Sequence, residues 1–278
     1  MGTVVGHIAG EIDRLVIAGH AAAARADDPP VLATTAQRGL LNSVAVVLLN
    51  ESLDRSDVGR IVPYLPAPLA DALIEDNVSH DIVQLHGDRL ALTERGEMLA
   101  RAVVEVQEKA IAAMWAGAGD ALRDLEPLAA AVVARGRDLT PPAVPDAFRL
   151  FARAVDRPSA PARVLRLITA MRYWRADAHR AALAAAGLEP QEAHALNRLW
   201  DAQRGVERVG QGRDDPGKRG VAALEGRGLA ASGTITAEGL TLREAVEQDT
   251  DRRSEPLYDG LDRAARHSLL HGLQALPS

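Results

Sequence analysis

From Arg163 to Ala186 the chain runs 24 residues without glycine or proline, and Gly187 closes the run. At about 1.5 Å per residue this is a helix of roughly 36 Å, long enough to cross a small domain. Val164, Leu167, Ile168, Met171, Trp174, Ala178, Ala181 and Ala182 recur at three- and four-residue steps and give it one broad apolar face. Gly187 suits the left-handed position that ends a helix at low steric cost. A strut of this kind must be buried by what flanks it. The sequence therefore predicts a central helix, 163–186, between two lobes.

The material for burying it is aliphatic. Hydrophobic residues make up 47% of the 278 but aromatics only 3%, so alanine and leucine fill the core and close-packed helices are favoured over sheets. The expected class is mainly α with small β wings. Thirty-eight acidic residues against 32 basic ones give a net charge of -6, which excludes a bulk-basic nucleic-acid protein and leaves room only for local basic patches. The absence of cysteine excludes disulfides, thiolate nucleophiles and Cys-ligated zinc or iron–sulfur sites. No stretch approaches 18 uncharged apolar residues, so no membrane partner is expected and the cytoplasm is the expected compartment. No cofactor is expected.

Read in order, the first half gives a helix at 3–24, stopped by Asp27-Asp28-Pro29-Pro30, then one at 37–50 and a short one at 55–64. A third follows from Leu69 to Val78, then two short strands, 82–86 and 89–92, about Gly87-Asp88. Thr93 caps a long helix reaching about Trp115, inward at Leu99, Val103, Val106, Ala110 and Met114. Helix, short helix, helix, two-stranded ribbon and long helix is the order of a winged helix-turn-helix module. The second half offers a helix after Pro190, one at 216–227 weakened by Gly217 and Gly220, a minimal wing at 228–235, a helix at 237–253 and a last one at 257–273.

The two halves echo each other. Thr93, Gly96, Leu99, Ala102 and Val103 fall on Thr236, Gly239, Leu242, Ala245 and Val246 at a constant offset of 143 residues. Duplication accounts for this, with lobes at 1–140 and 141–278 and a proline-rich linker at 136–145 between them. One chain then does the work of a symmetric pair, as a monomeric pseudodimer or a weak homodimer.

Leu92-Thr93-Glu94-Arg95-Gly96 after a ribbon resembles the wing-to-helix junction of MarR-type regulators. The block from Tyr173 to Leu188 (YWRADAHRAALAAAGL) and the block from Ile235 to Arg252 are similar to the actinobacterial SalK-type helix-turn-helix family. That resemblance covers roughly residues 120–262. It implies a fold and a tendency to lie near natural-product genes, with no established reaction.

Candidate sites follow from these expectations. Base contacts come from Arg, Lys, Asn and Gln near the start of a recognition helix. In the first lobe that helix carries Asp71, Glu75 and Asp76 with Asn77 as its one reader, and its wing offers Arg89. The second lobe offers Lys218, Arg219 and Arg227, near Asp214 and Asp215. Trp115, Tyr173, Trp174 and Trp200, with Arg172, Arg175, His179 and His20, suit either core anchors or an apolar pocket for a small flat, aromatic or acidic ligand. His267 and His271 are spaced like zinc ligands but lack a third. No catalytic residue stands out, as there is no G-x-S-x-G, P-loop or post-strand G-x-G-x-x-G. Two functions remain open. One is a regulator whose binding of double-stranded DNA answers to a small molecule between the lobes. The other is a winged-helix protein that no longer reads DNA and serves as a natural-product binding protein or biosynthetic enzyme.

Overall fold

Thr3 opens the first helix, α1 (Val4–Ala24), its hydroxyl accepting from Gly6 N at 2.9 Å. The computed structural model describes residues 3–25, 35–61, 67–140, 146–205 and 216–278. The expected stop at 27–30 and the proline-rich part of the linker, 141–145, lie outside them. After α1 come α2 (Thr35–Leu48), β1 (Leu53–Asp54), α3 (Arg55–Ile61), α4 (Ala67–Ser79), β2 (Val83–His86), β3 (Arg89–Leu92) and α5 (Glu94–Met114). β2 and β3 form the expected ribbon, with Leu85 opposite Leu90. β1 adds an edge that two residues cannot announce, pairing Leu53 with Leu90 in a sheet of order β1-β3-β2. α5 is turned by about one residue from its expected face. Ala100, Val104, Gln107 and Ile111 are buried with Val103, whereas Val106, Ala110 and Met114 are only half-buried. The change brings Ile111 to the core and carries Gln107 in with it.

The second half continues with α6 (Gly119–Arg137), α7 (Ala147–Ala152), α8 (Ala160–Ala185), α9 (Pro190–Gln203), α10 (Pro216–Gly226), β4 (Ala230–Ala231), β5 (Thr234–Ile235), α11 (Ala237–Tyr258) and α12 (Arg263–Ala275). α8 is the central helix, and it ends as expected. Gly187 takes φ 64° and Leu188 N bonds back to Leu183 O at 3.0 Å. The expected break between helices near 253–257 does not occur. α11 runs on through Pro256, and the chain turns only at 259–262, where Asp262 caps α12 by accepting from Ala265 N.

The chain divides into two compact units, one made of 1–177 with 254–278 and the other of 178–253. The division into compact units thus falls within α8 and α11, because residues 141–177 and 254–278 both group with the first unit. There α12 lies against α1 and α6, and Arg14 of α1 donates to the carbonyls of Leu273 and Leu276. In that unit the first part of α8 is buried on nearly every side, from Ala162 through Val164, Leu165, Leu167, Ile168, Ala170 and Met171 to Trp174. Asp177, wholly buried, accepts from the backbone N–H groups of both Ala147 and Phe148 at 3.0 Å, fixing the start of α7.

The second unit has a thinner core of Leu183, Leu196, Leu199, Leu224, Ile235 and Val246. Gly220 lets α10 approach α9, since a Cβ there would lie 2.3 Å from Gln191 O. The glycine that weakens α10 by propensity is the one that lets it pack.

One hydrogen-bond pattern occurs twice. Thr93 N donates to Ile82 O at 3.2 Å, Thr93 Oγ1 to Asp81 O at 2.5 Å, and Gly96 N to Thr93 Oγ1 at 3.0 Å. Thr236 N donates to Leu229 O at 3.2 Å, Thr236 Oγ1 to Gly228 O at 2.8 Å, and Gly239 N to Thr236 Oγ1 at 3.1 Å. Asp81 and Gly228 both take positive φ, 56° and 72°. A Cβ on Gly96 would fall 1.8 Å from Ile82 O, and one on Gly239 2.2 Å from Leu229 O. The offset is 143 after each ribbon (236 − 93) but 147 before it (229 − 82), so the second ribbon is shorter by 147 − 143 = 4 residues.

Replacing Asp177 by alanine leaves two buried N–H donors unmet and is expected to destabilise the protein by about 2–4 kcal/mol, measured by urea unfolding. Gly96→Ala and Gly239→Ala each force backbone apart and are expected to cost about 1–3 kcal/mol in the same measurement.

Candidate functional site

α8 places Arg166, Thr169, Arg172 and Tyr173 on one flank, at three- and four-residue steps. This flank closes a cavity of about 20 Å³ with Val16 and His20 of α1, Leu41, Asn42, Ser43 and Val46 of α2, Gln107 of α5 and Phe151 of α7. Three of the sequence candidates, His20, Arg172 and Tyr173, therefore meet. Tyr173 stacks on Phe151 with ring centres 3.9 Å apart and 6° between planes. Arg172 Nε binds Asp13 at 2.6 Å.

Arg166 was not among the sequence candidates. Only 5% of it is exposed, Nη2 donates to Gln107 Oε1 at 3.1 Å, and Nε is buried with no partner. Burial and then the neighbouring Arg157 lower its pKa to about 10, against the pull of Glu108, so it is charged at pH 7. Crowding of the ring, then the charges of Arg172 and Arg166, push His20 from 6.5 to about 4. The residue as a whole is exposed to solvent, so burial counts for less and the two guanidiniums for more in this downward shift. Any drop from 6.5 leaves the ring neutral at pH 7.

The size of this cavity decides what it can hold as it stands. It admits about one water-sized particle, whereas sites for drug-sized ligands run to roughly 300–1,000 Å³. A wider groove of about 700 Å³ lies between Gly117–Ala121 and Gln274–Pro277, but it is open and shallow and carries Asp120 as its one charge.

The other ligand candidates do not reach the cavity. Trp115 is buried, its Nε1 donating to Pro277 O at 3.0 Å. Trp174 is core, edge-on to Phe148 at 5.1 Å, with its Nε1 buried and unpartnered. Arg175 is half-buried and outside the cavity lining. His179 and Trp200 belong to the second unit. His179 Nδ1 lies 3.0 Å from Thr250 Oγ1, and the Trp200 ring is covered by the guanidiniums of Arg243 and Arg204 at 3.5 and 4.2 Å.

The two helices that enter the repeated joint differ in what they display. Asn77 of α4 is wholly buried, donating to Leu73 O at 2.8 Å, so it cannot read a base. Arg55 binds Asp71 at 2.8 Å and Glu75 at 3.2 Å, and the outward residues of α4 include Leu69, Ala72, Glu75 and Val78. Arg89 is held to the β1 edge by Ser52, Nη2 to Oγ at 2.6 Å, with Asp54 at 3.7 Å. At the matching places α10 shows Arg219, Ala222 and Glu225, whose Oε1 accepts from Gly233 N at 3.0 Å. Arg227 instead clamps the joint, reaching Glu192 at 2.9 Å and Gly187 O at 2.9 Å. Lys218 lies on α10, one residue before Arg219, with its side chain outside the described residues.

A helix-turn-helix family model matches residues 98–277. The chain belongs to that family. No curated protein and no solved structure matches it. The helix-turn-helix match begins inside α5, so it takes in α10, the short ribbon and α11 and leaves α2–α4 outside. Among the described residues, no group of three or more His, Asp or Glu side chains is placed to hold a metal, and no helix is long and apolar enough to cross a membrane.

Arginine and glutamine at 166 and 107 carried a readable signal, since each interrupts an otherwise apolar, inward-facing run. Because folding lowers the His20 pKa, the unfolded chain takes up the proton first. Stability is full above about pH 6.5 and falls as pH drops toward about 4. The wild type is expected to lose stability relative to His20→Gln between pH 6.5 and 5 and to run parallel above pH 7.5 in urea unfolding.

Proposed function

We propose that the protein is a DNA-binding regulator of MarR-like tandem design, in which the second winged lobe reads DNA and the first has given that role up. The observation that carries the reading is the contrast between α4 and α10 at equivalent joints. The outward face of α10 carries the cation Arg219 beside the small residue Ala222, which allows close approach to a groove, while the carboxylate of Glu225 is turned to the ribbon by Gly233 N. The outward face of α4 shows aliphatic side chains and the carboxylate of Glu75, with no Lys or Arg anywhere on the helix to meet phosphates. The repeated Thr–Gly joint and the uniform four-residue difference between ribbons support a gene duplication behind the two lobes. The helix-turn-helix match, which covers the second lobe, supports assigning the reading to it.

The cavity beside Arg166 supports a small-molecule response. It is lined by α1, α2 and α5 from before residue 140 and by α7 and α8 from after it. A ligand of aromatic size enters only if these helices part, so it shifts DNA affinity by preferring the opened state. The apolar and acidic face of α4 favours a second reading, a binding protein that has left DNA altogether.

Retention on duplex DNA at low salt separates the two. The regulator binds with affinity that falls steeply as salt rises, and Arg219→Ala with Lys218→Ala weakens binding and lowers the slope of log affinity against log salt by about 1–2. Glu75→Gln on α4 leaves both unchanged. Undetectable retention of any duplex at low salt removes the regulator reading and leaves the binding protein.

A further inference from the structure

The charge around Arg166 does not balance. Glu108 Oε1 sits 2.6 Å from Arg157 Nε and 3.8 Å from Arg166 Nη2, so one carboxylate serves two guanidiniums and lies closer to Arg157. Asp13 is taken by Arg172 at 2.6 Å. Gln107 meets Arg166 with an uncharged oxygen at 3.1 Å. His20, neutral, offers no compensation. A cation with 5% of its surface exposed and a buried Nε without a partner is left facing a cavity of about 20 Å³. Burying such a charge is costly unless a counter-charge and a hydrogen-bond acceptor come with it. The cavity has room for about one water-sized particle. Water accepts a hydrogen bond but supplies no charge, and a sulfate or phosphate group is too large.

We propose that this cavity is a structural halide site, in which a single chloride ion accepts from Arg166 Nε and neutralises the excess guanidinium between α1, α2, α5, α7 and α8. The ion is a fixed part of the first unit, and this holds whether or not the chain binds DNA. Its ligand is inorganic and monatomic, distinct from any larger molecule that opens the helices.

The test is thermal unfolding of the full chain at constant ionic strength, with gluconate replaced stepwise by chloride or bromide. The midpoint is expected to rise saturably, by about 3 °C once the halide is some tenfold above its dissociation constant. In Arg166→Met, which keeps an unbranched apolar stem and removes the guanidinium with its charge, the rise disappears. Equal midpoints in chloride and gluconate, or a rise that survives in Arg166→Met, overturn the proposal. Should Arg166→Met not fold, bromide-soaked crystals of the unaltered protein decide. An anomalous peak within hydrogen-bond reach of Arg166 Nε supports the site, and its absence overturns it. Stabilisation by formate but not by halides also overturns it and assigns the cavity to a carboxylate.

Discussion

The first unit rests on enclosing the front of α8. A helix buried on nearly all sides cannot leave its polar side chains to water, so each one left without a partner inside is costly. Asp177 finds it at the start of α7, Thr169 in the carbonyl of Leu165, and Arg166 in Gln107 with a distant share of Glu108. The positions of α5 and α7 follow from that requirement as much as from apolar packing. Turning α5 by one residue brings Gln107 to the helix that needs it.

The two ribbon joints show which parts of a winged module are constrained and which are free to vary. The Thr cap and the glycine one turn on recur because backbone passes within contact distance there. The ribbon tip carries no such constraint, and the second ribbon is four residues shorter with the same bonds at its base. The surfaces beside the two joints differ more. Arg55 spends its charge on the carboxylates of α4, while Arg227 holds the end of α10 and leaves Arg219 outward.

Much of the architecture was legible in the residues. The central helix and its glycine stop, the ribbon at 83–92 and the caps at Thr93 and Thr236 all follow from local periodicity and capping chemistry. What sequence could not give came from tertiary choice. Pro256 is accommodated inside α11, so a break inferred from local signals is absent. The division into units depends on residues 254–278 returning to the first one, a long-range event without a local mark. Of the candidate site, His20, Arg172 and Tyr173 come together, but Trp115 and Trp174 satisfy the core, and Asn77 is drawn inward by Leu73 O. The cation that matters most to the cavity, Arg166, interrupts an apolar run, a signal passed over because arginine inside a helix ordinarily marks a solvated face.

Residues 178–253 form one uninterrupted stretch, whereas the first unit is assembled from segments on both sides of it. During synthesis the inserted unit has all its residues before the enclosing one does. α1 and α6 must wait for α12 with part of their apolar surface unfilled, through the time needed to make everything between. Slow elongation across the inserted stretch therefore prolongs the exposure of the α1 and α6 faces that α12 covers.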